Sequence, residues 1–196
     1  MSEIRVAALD PAAIVRHLDA LAALRIQVFA AYPYLYDGDV AYEARYLQTY
    51  VDSDAAIVVG AFDGEHLVGA ATGTPLEDHM DGFGDALRDQ PLRAEDVFYC
   101  AESVLLPEYR GHGIGHRFFD LREAHARTLG RRHSLFCSVI RPADHPDRPA
   151  DYRPLDGFWS KRGYRPLPGA VARLHWKDHR EDEETEKGLQ VWVRDL

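Results

Sequence analysis

The sequence predicts an α/β protein of one domain, residues 1–196, built on a mixed central β-sheet flanked by helices. Three observations carry that prediction. Short apolar runs alternate with longer amphipathic ones, as strands do with helices. One pair of apolar runs is joined by a tight turn and so is antiparallel, whereas another is separated by a whole helix and so is parallel. The composition is also that of a globular chain: 46% hydrophobic and 28% charged over 196 residues suffices for one substantial core.

"EIRVAAL" reads as the first strand. Asp10-Pro11 then supplies an N-cap and a first-turn proline, and "PAAIVRHLDALAALRIQVFAAY" follows with helical apolar spacing. After the tyrosine-dense break "YPYLYDGD", a second helix is predicted over "VAYEARYLQTYV". "AAIVVGAFDGEHLVGAATGTPL" is a hairpin whose Asp63-Gly64 suits a type I′ turn. Residues 77–95 are polar and irregular, and read as an insertion or mobile connection. "DVFYCAESVLL" is the next strand, followed by a glycine run, a helix to about Leu129 and the strand "HSLFCSVI". A Pro- and Asp-rich loop leads to a short helix in "LDGFWSKRGY" that ends at Gly163, an expected C-cap residue. "VARLHWKD" and "LQVWVRDL" form a closing hairpin around the acidic run Glu181–Glu186. No repeat and no linker is evident.

A net charge of −9 argues against a nucleic-acid partner, because phosphate backbones reward a basic face. No stretch reaches the ~18 apolar residues of a membrane span, so no membrane partner is expected. The N-terminus lacks the pattern of a signal peptide, and Cys100 and Cys137 sit in apolar strands as reduced core residues. A cytoplasmic protein is therefore expected. Nothing in the sequence decides the oligomeric state, and a homodimer is compatible with it.

The most informative stretch is "RGHGIG", Arg110 to Gly115, between a strand and a helix. A helix N-terminus has unpaired N–H groups and partial positive charge, and glycines let an anion approach the backbone closely. A plain tight turn needs fewer glycines. The run is no Walker A loop, for no Lys follows it, and no dinucleotide fingerprint, for His116 stands where the last glycine would fall.

Arg110-Gly111-His112-Gly113-Ile114-Gly115 fits [QR]-x-x-G-x-[GA], and "VLLPEYRGHGIGHRFF" resembles the central strand-turn-helix of the GNAT superfamily of acyl-CoA-dependent N-acetyltransferases. "FWSKRGY" resembles that family's late F-Y-x-K-x-G-[FY] segment, and the element order agrees over most of the chain. The resemblance implies a GNAT-like fold with acetyl-CoA as cosubstrate in a splayed sheet. Its pantetheine arm would pair with Ser103, Val104 and Leu105, and its pyrophosphate would sit on the turn from Arg110 and Gly111 through His112, Gly113, Ile114 and Gly115 to His116. It also implies direct transfer to an amine of a small molecule or protein. Where the family places a tyrosine that protonates the thiolate, this chain has Trp159. Tyr164, Tyr152 or Tyr99 could take over that role, or the thiolate could leave and be protonated by water. A weakly catalytic acyl-CoA sensor on the same fold is the alternative.

Glu102 alternates with Phe98, Cys100 and Val104, which puts a carboxylate among apolar groups and makes it the candidate base; the bland reading is a buried acid paired to Arg25 or Arg141. Tyr34 and Tyr36 are candidates for the acceptor wall or for packing under the second helix. His145 and Tyr152, in the loop before the last helix, are further acceptor candidates. His112 and His116 have no evident third partner, so no metal is expected. The acidic run would favour a cationic acceptor if it overhangs the cleft.

Overall fold

The computed structural model describes residues 3–80 and 82–196. All seven strands lie in one sheet, ordered β1-β2-β3-β4-β5-β7-β6. They are β1 Arg5–Ala8, β2 Ile57–Asp63, β3 His66–Pro75, β4 Val97–Leu105, β5 His133–Val139, β6 Arg165–Lys177 and β7 Glu184–Asp195. Every neighbouring pair is antiparallel except β4 and β5, which run parallel. The predicted mixed sheet with flanking helices is the fold observed.

The predicted first helix is two helices, α1 Pro11–Arg16 and α2 Leu18–Phe29. Asp10 caps α1 by accepting from the Ala13 amide at 2.6 Å. His17 steps out of helical geometry at φ −104°, ψ 10°, and its ring packs against Phe62. Helix α3, Val40–Val51, matches its predicted bounds because Asp39 caps it through the Tyr42 amide at 2.7 Å. Helices α1, α2 and α3 cover one face of the sheet, where Leu21, Leu24, Phe29, Leu47 and Val58 form a buried cluster.

The hairpin turn differs from the type I′ expectation. Asp63 pairs with His66 across the strands, so the loop is Gly64-Glu65. Gly64 has a positive φ of 59°, but Glu65 does not, whereas type I′ needs positive φ at both central residues.

The segment 77–95, expected to be an insertion or mobile connection, is anchored; within it Asp81 lies outside the described residues. A short helix α4, Gly84–Leu87, follows a helical turn at Leu76–His79. Leu76, Phe83, Ala86 and Leu87 are buried against β4, β5, β6 and β7, extending the face that α2 and α3 begin. A few apolar residues dispersed in a polar run carry no period, which is why the pattern hid them.

The opposite face is covered by α5, Ile114–Thr128, whose Phe118, Phe119 and Ala126 pack on Val59, Ala71, Phe98 and Phe136. Helix α6, Asp156–Lys161, ends at Gly163 with φ 86°, the predicted C-terminal glycine. The closing hairpin is longer than predicted: β6 begins at Arg165 with an irregularity between Pro166 and Val171, and Glu184–Glu186 belong to β7.

Candidate active site

Two departures from regular strand geometry on β4 build the site. The first is a β-bulge. Thr72 pairs with Glu102 and Thr74 with Tyr99, so two steps on β3 face three on β4. An extra residue reverses the inside–outside alternation downstream of it. Phe98 and Cys100 therefore face α5, whereas Val104 faces α2 and α3. The single face expected for Phe98, Cys100, Glu102 and Val104 is broken at the bulge. Glu102 turns toward α2, where it meets Arg25, one of the two arginines the sequence offered; Arg141 pairs with Asp178 instead.

A bulge also takes backbone groups out of the ladder, and these need partners. Arg122 of α5, 1% exposed, supplies them: its Nη1 donates to the carbonyls of Thr72 at 3.1 Å and Glu102 at 2.8 Å, and its Nη2 donates to Ser103 Oγ at 2.9 Å. Sequence reading missed Arg122, because the need for it arises only from the bulge.

The second departure is a split in the sheet. β4 and β5 pair only over Val97–His133, Phe98–Ser134 and Tyr99–Leu135. Beyond that point β4 stays with β3 and β5 with β7. Ser103, Val104 and Leu105 keep their β3 partners, and among the described residues no strand pairs their other edge. An extended chain could add there.

The glycine turn closes the end of β4. Gly111 and Gly113 have φ of 82° and 78°, which L side chains rarely adopt, and a Cβ built on either meets nothing within 4 Å. Gly113 is the residue before α5, and no side chain caps the helix there. The intrahelical bonds of α5 start with the Arg117 amide donating to the Gly113 carbonyl at 3.3 Å. The amides of Ile114, Gly115 and His116 thus precede the ladder. The Arg110 guanidinium folds back on the Leu105 carbonyl, with Nε and Nη2 each at 3.2 Å. His112 Nδ1 lies 3.3 Å from the Tyr109 carbonyl, and the His116 ring packs on Phe158 beside Arg162. Among the described residues no group of three or more His, Cys, Asp or Glu is placed to hold a metal ion.

The four predicted acceptor residues fall in two places. Tyr34 packs between Phe29 and Trp176, with ring centroids 4.5 and 5.9 Å away, and burial pushes its phenol up to about 12. Tyr36 is also pushed up, by burial first and then by the negative charge of Glu43. Arg141 ties this segment to the far side of the split: its Nε donates to the Pro33 carbonyl at 2.7 Å and its Nη2 to the Tyr34 carbonyl at 2.8 Å.

His145 and Tyr152 gather instead around Tyr32, at 5.7 and 4.7 Å between centroids. Tyr32 and Tyr152 line a cavity of about 240 Å³ with Ser138, Arg148, Asp156 and Trp192, at the open end of β5. Among the described residues neither Arg148 nor Asp156 has an ion-pair partner within 4 Å of its charge, and the Arg148 guanidinium lies 5.2 Å from the Tyr152 ring. Of the tyrosines that could replace the family acid, Tyr164 is 2% exposed and bonded to Ser134 and Glu123, and Tyr99 is buried against His79 and Phe83. Tyr152 lines the 240 Å³ cavity. Trp159 is packed on Phe136 and Trp192.

The root of the closing hairpin lies on the tyrosine segment. The Asp37 amide donates to the Lys177 carbonyl at 2.9 Å, and the His179 amide donates to the Leu35 carbonyl at 2.8 Å. Within the acidic run Glu181 is neutralised by Lys187 at 2.7 Å.

The model of the Acetyltransferase (GNAT) family matches residues 22–149. None of the curated proteins compared matches the chain. Solved structures agree in fold across nearly their whole length. The ribosomal-protein-alanine N-acetyltransferase of Brucella melitensis has a TM-score of 0.63 at 13% identity, covering 98% of this chain and 99% of its own. A Salmonella typhimurium protein solved with its cofactor acetyl-CoA has a TM-score of 0.62 at 10% identity, covering 98% and 94%. An aminoglycoside 6′-N-acetyltransferase complexed with coenzyme A has a TM-score of 0.60 at 16% identity, covering 97% and 96%.

Proposed function

The chain belongs to the GNAT acetyltransferase family, and on that premise we propose that it moves an acetyl group from acetyl-CoA directly to an amine. The carrying observation is the turn at Gly111 and Gly113, open where side chains would be and followed by three amides ahead of the helical ladder. It fits a pyrophosphate, which needs unpaired donors and no side chain in the way. The free edge of Ser103, Val104 and Leu105 fits the pantetheine arm. Bound there, acetyl-CoA supplies an activated acetyl thioester.

The chain's own residues do the rest. Glu102, which keeps 16% side-chain exposure at the split, takes the proton from the acceptor ammonium. Tyr32 and Tyr152, with His145 behind them, wall the acceptor side of the 240 Å³ cavity. Tyr34 and Tyr36 hold the opposite wall in place, and the Tyr152 hydroxyl is the donor nearest at hand for a departing thiolate. The acidic hairpin rooted on the tyrosine segment favours a cationic acceptor.

The test is acetyl-CoA turnover, followed as free thiol, against a panel of amines that includes aminoglycosides, amino acids and alanine-headed peptides. Amine-dependent thiol release is expected, and Tyr152→Ala raises the acceptor KM more than the acetyl-CoA KM while also lowering kcat, because it removes both the wall and the proton donor; Tyr152→Phe keeps the wall and lowers kcat alone. Tyr34→Ala lowers the melting temperature instead, because a packed aromatic ring is worth about 3–5 kcal/mol. A chain that binds acetyl-CoA yet accelerates release with no amine would make it a sensor.

A further inference from the structure

A buried trio of charges lies behind Glu102. Arg25 of α2 contacts the Glu102 carboxylate with Nη1 and the Glu43 carboxylate with Nε. Glu43 has no solvent exposure and Arg25 has 6%, so these two are sealed in while Glu102 reaches the split. The Tyr46 ring lies 4.4 Å beneath the guanidinium and the Phe29 ring 5.2 Å from it. Burial alone would lower the pKa of Arg25, but Tyr46 and Glu43 hold it above its ordinary value.

A structural ion pair needs one carboxylate for one guanidinium. Here a second carboxylate gives the trio a net charge of −1, and the unmatched charge is the one at the cleft. Among the described residues no other cation lies within 4 Å of either carboxylate. From α3 come the Tyr46 and Tyr50 hydroxyls, 2.7 Å apart, and from the preceding segment comes Tyr36, next to Glu43. β3 offers Thr72, the insertion places His79 6.4 Å from Tyr46, and Arg122 of α5 is a second buried cation that meets Glu102 through its backbone carbonyl and leaves its carboxylate to Arg25.

We propose that Arg25 is a positioning residue for acetyl transfer: it fixes the Glu102 carboxylate at the split between β4 and β5, and Glu43 sets how firmly it does so. Arg25 divides its attraction between two anions. With Glu43 neutral, the whole of it falls on Glu102, which then takes up a proton only at lower pH. With both Arg25 and Glu43 neutral, Glu102 loses its counter-ion while staying half-buried, and takes up a proton at higher pH.

The inference rests on Glu102 being the base, and the experiment separates the two ideas. The protonation of Glu102 is followed by NMR of 13C-carboxyl-labelled glutamate, assigned with Glu102→Gln, beside the pH profile of kcat/KM. Glu43→Gln is expected to move the midpoint of Glu102 down, and the double variant Arg25→Met, Glu43→Gln to move it up by about 1 pH unit or more. A purely structural trio would lower stability in both variants without opposite shifts. An unmoved Glu102 midpoint in folded Glu43→Gln overturns the proposal, and that single variant decides the matter if the double one does not fold. Opposite NMR shifts with an unchanged rate profile would confirm the coupling of the three charges but remove Glu102 as the base, and with it the part of Arg25 in transfer.

Discussion

Acetyl-CoA at a hundred times its dissociation constant is expected to stabilise the wild-type chain by about 2.7 kcal/mol, and Gly113→Asp to abolish that gain. The substitution is chosen because it spares the fold. Asp is one of the few residues that tolerate a left-handed backbone, which Gly113 adopts at φ 78°. A carboxylate at the start of α5 is also favoured by the helix dipole, so the unliganded protein keeps most of its stability. The new side chain nevertheless enters the open space where a Cβ now meets nothing within 4 Å, and brings the charge that the pyrophosphate would bring. The variant thus fills the proposed anion site with its own carboxylate. Melting curves with and without acetyl-CoA, with calorimetry of both proteins, measure it. A wild type that binds no coenzyme, or a variant that binds it as tightly, would refute the assignment of the turn.

Glu102→Gln is expected to lower kcat by about 100-fold or more with little change in acetyl-CoA affinity, as loss of a general base does. The geometry makes this a clean comparison. Removing one member of a buried ion pair commonly strands a charge at a cost of about 3–5 kcal/mol. Here Arg25 keeps Glu43, so no uncompensated cation remains, and Gln preserves volume and the contact with Arg25. The backbone carbonyl of residue 102 still accepts from Arg122. Circular dichroism and the melting temperature therefore stay near wild type while turnover falls. An unchanged rate in a folded variant would return Glu102 to a structural role.

The parts of the fold legible in the sequence are those with a local cause. Asp39 before "VAYEARYLQTYV" set the start of α3, Gly163 marked the end of α6, and the glycine run marked the mouth of α5. What escaped needed partners far along the chain. The insertion was read as loose because Phe83, Ala86 and Leu87 are dispersed among polar residues, and only the face of β4, β5, β6 and β7 gives them a place. Strict alternation along β4 put Glu102 on the wrong face, since a bulge is a property of two strands together and leaves no mark on either alone. Arg122 and Glu43 were invisible for the same reason: their buried charge is tolerable only beside carbonyls, or an arginine, supplied from other elements. Among the acceptor candidates the residue types were legible, but not that Tyr34 packs between Phe29 and Trp176 while Tyr152 lines the cavity at the end of β5.

The proposed seat for the pyrophosphate at the mouth of α5 also bears on how fast a ligand is captured. The donors at Ile114, Gly115 and His116 are backbone dipoles of short reach, set in a chain whose net charge is −9. Far from the protein, an anionic coenzyme meets a net negative charge; the attraction is local to the turn. Raising ionic strength from about 0.01 M to about 0.15 M shortens the screening length from about 30 Å to about 8 Å. That removes the repulsion and leaves the contact almost untouched. Stopped-flow association of acetyl-CoA is therefore no slower in the saltier buffer, whereas a cleft that recruited its ligand with lysines and arginines would lose speed.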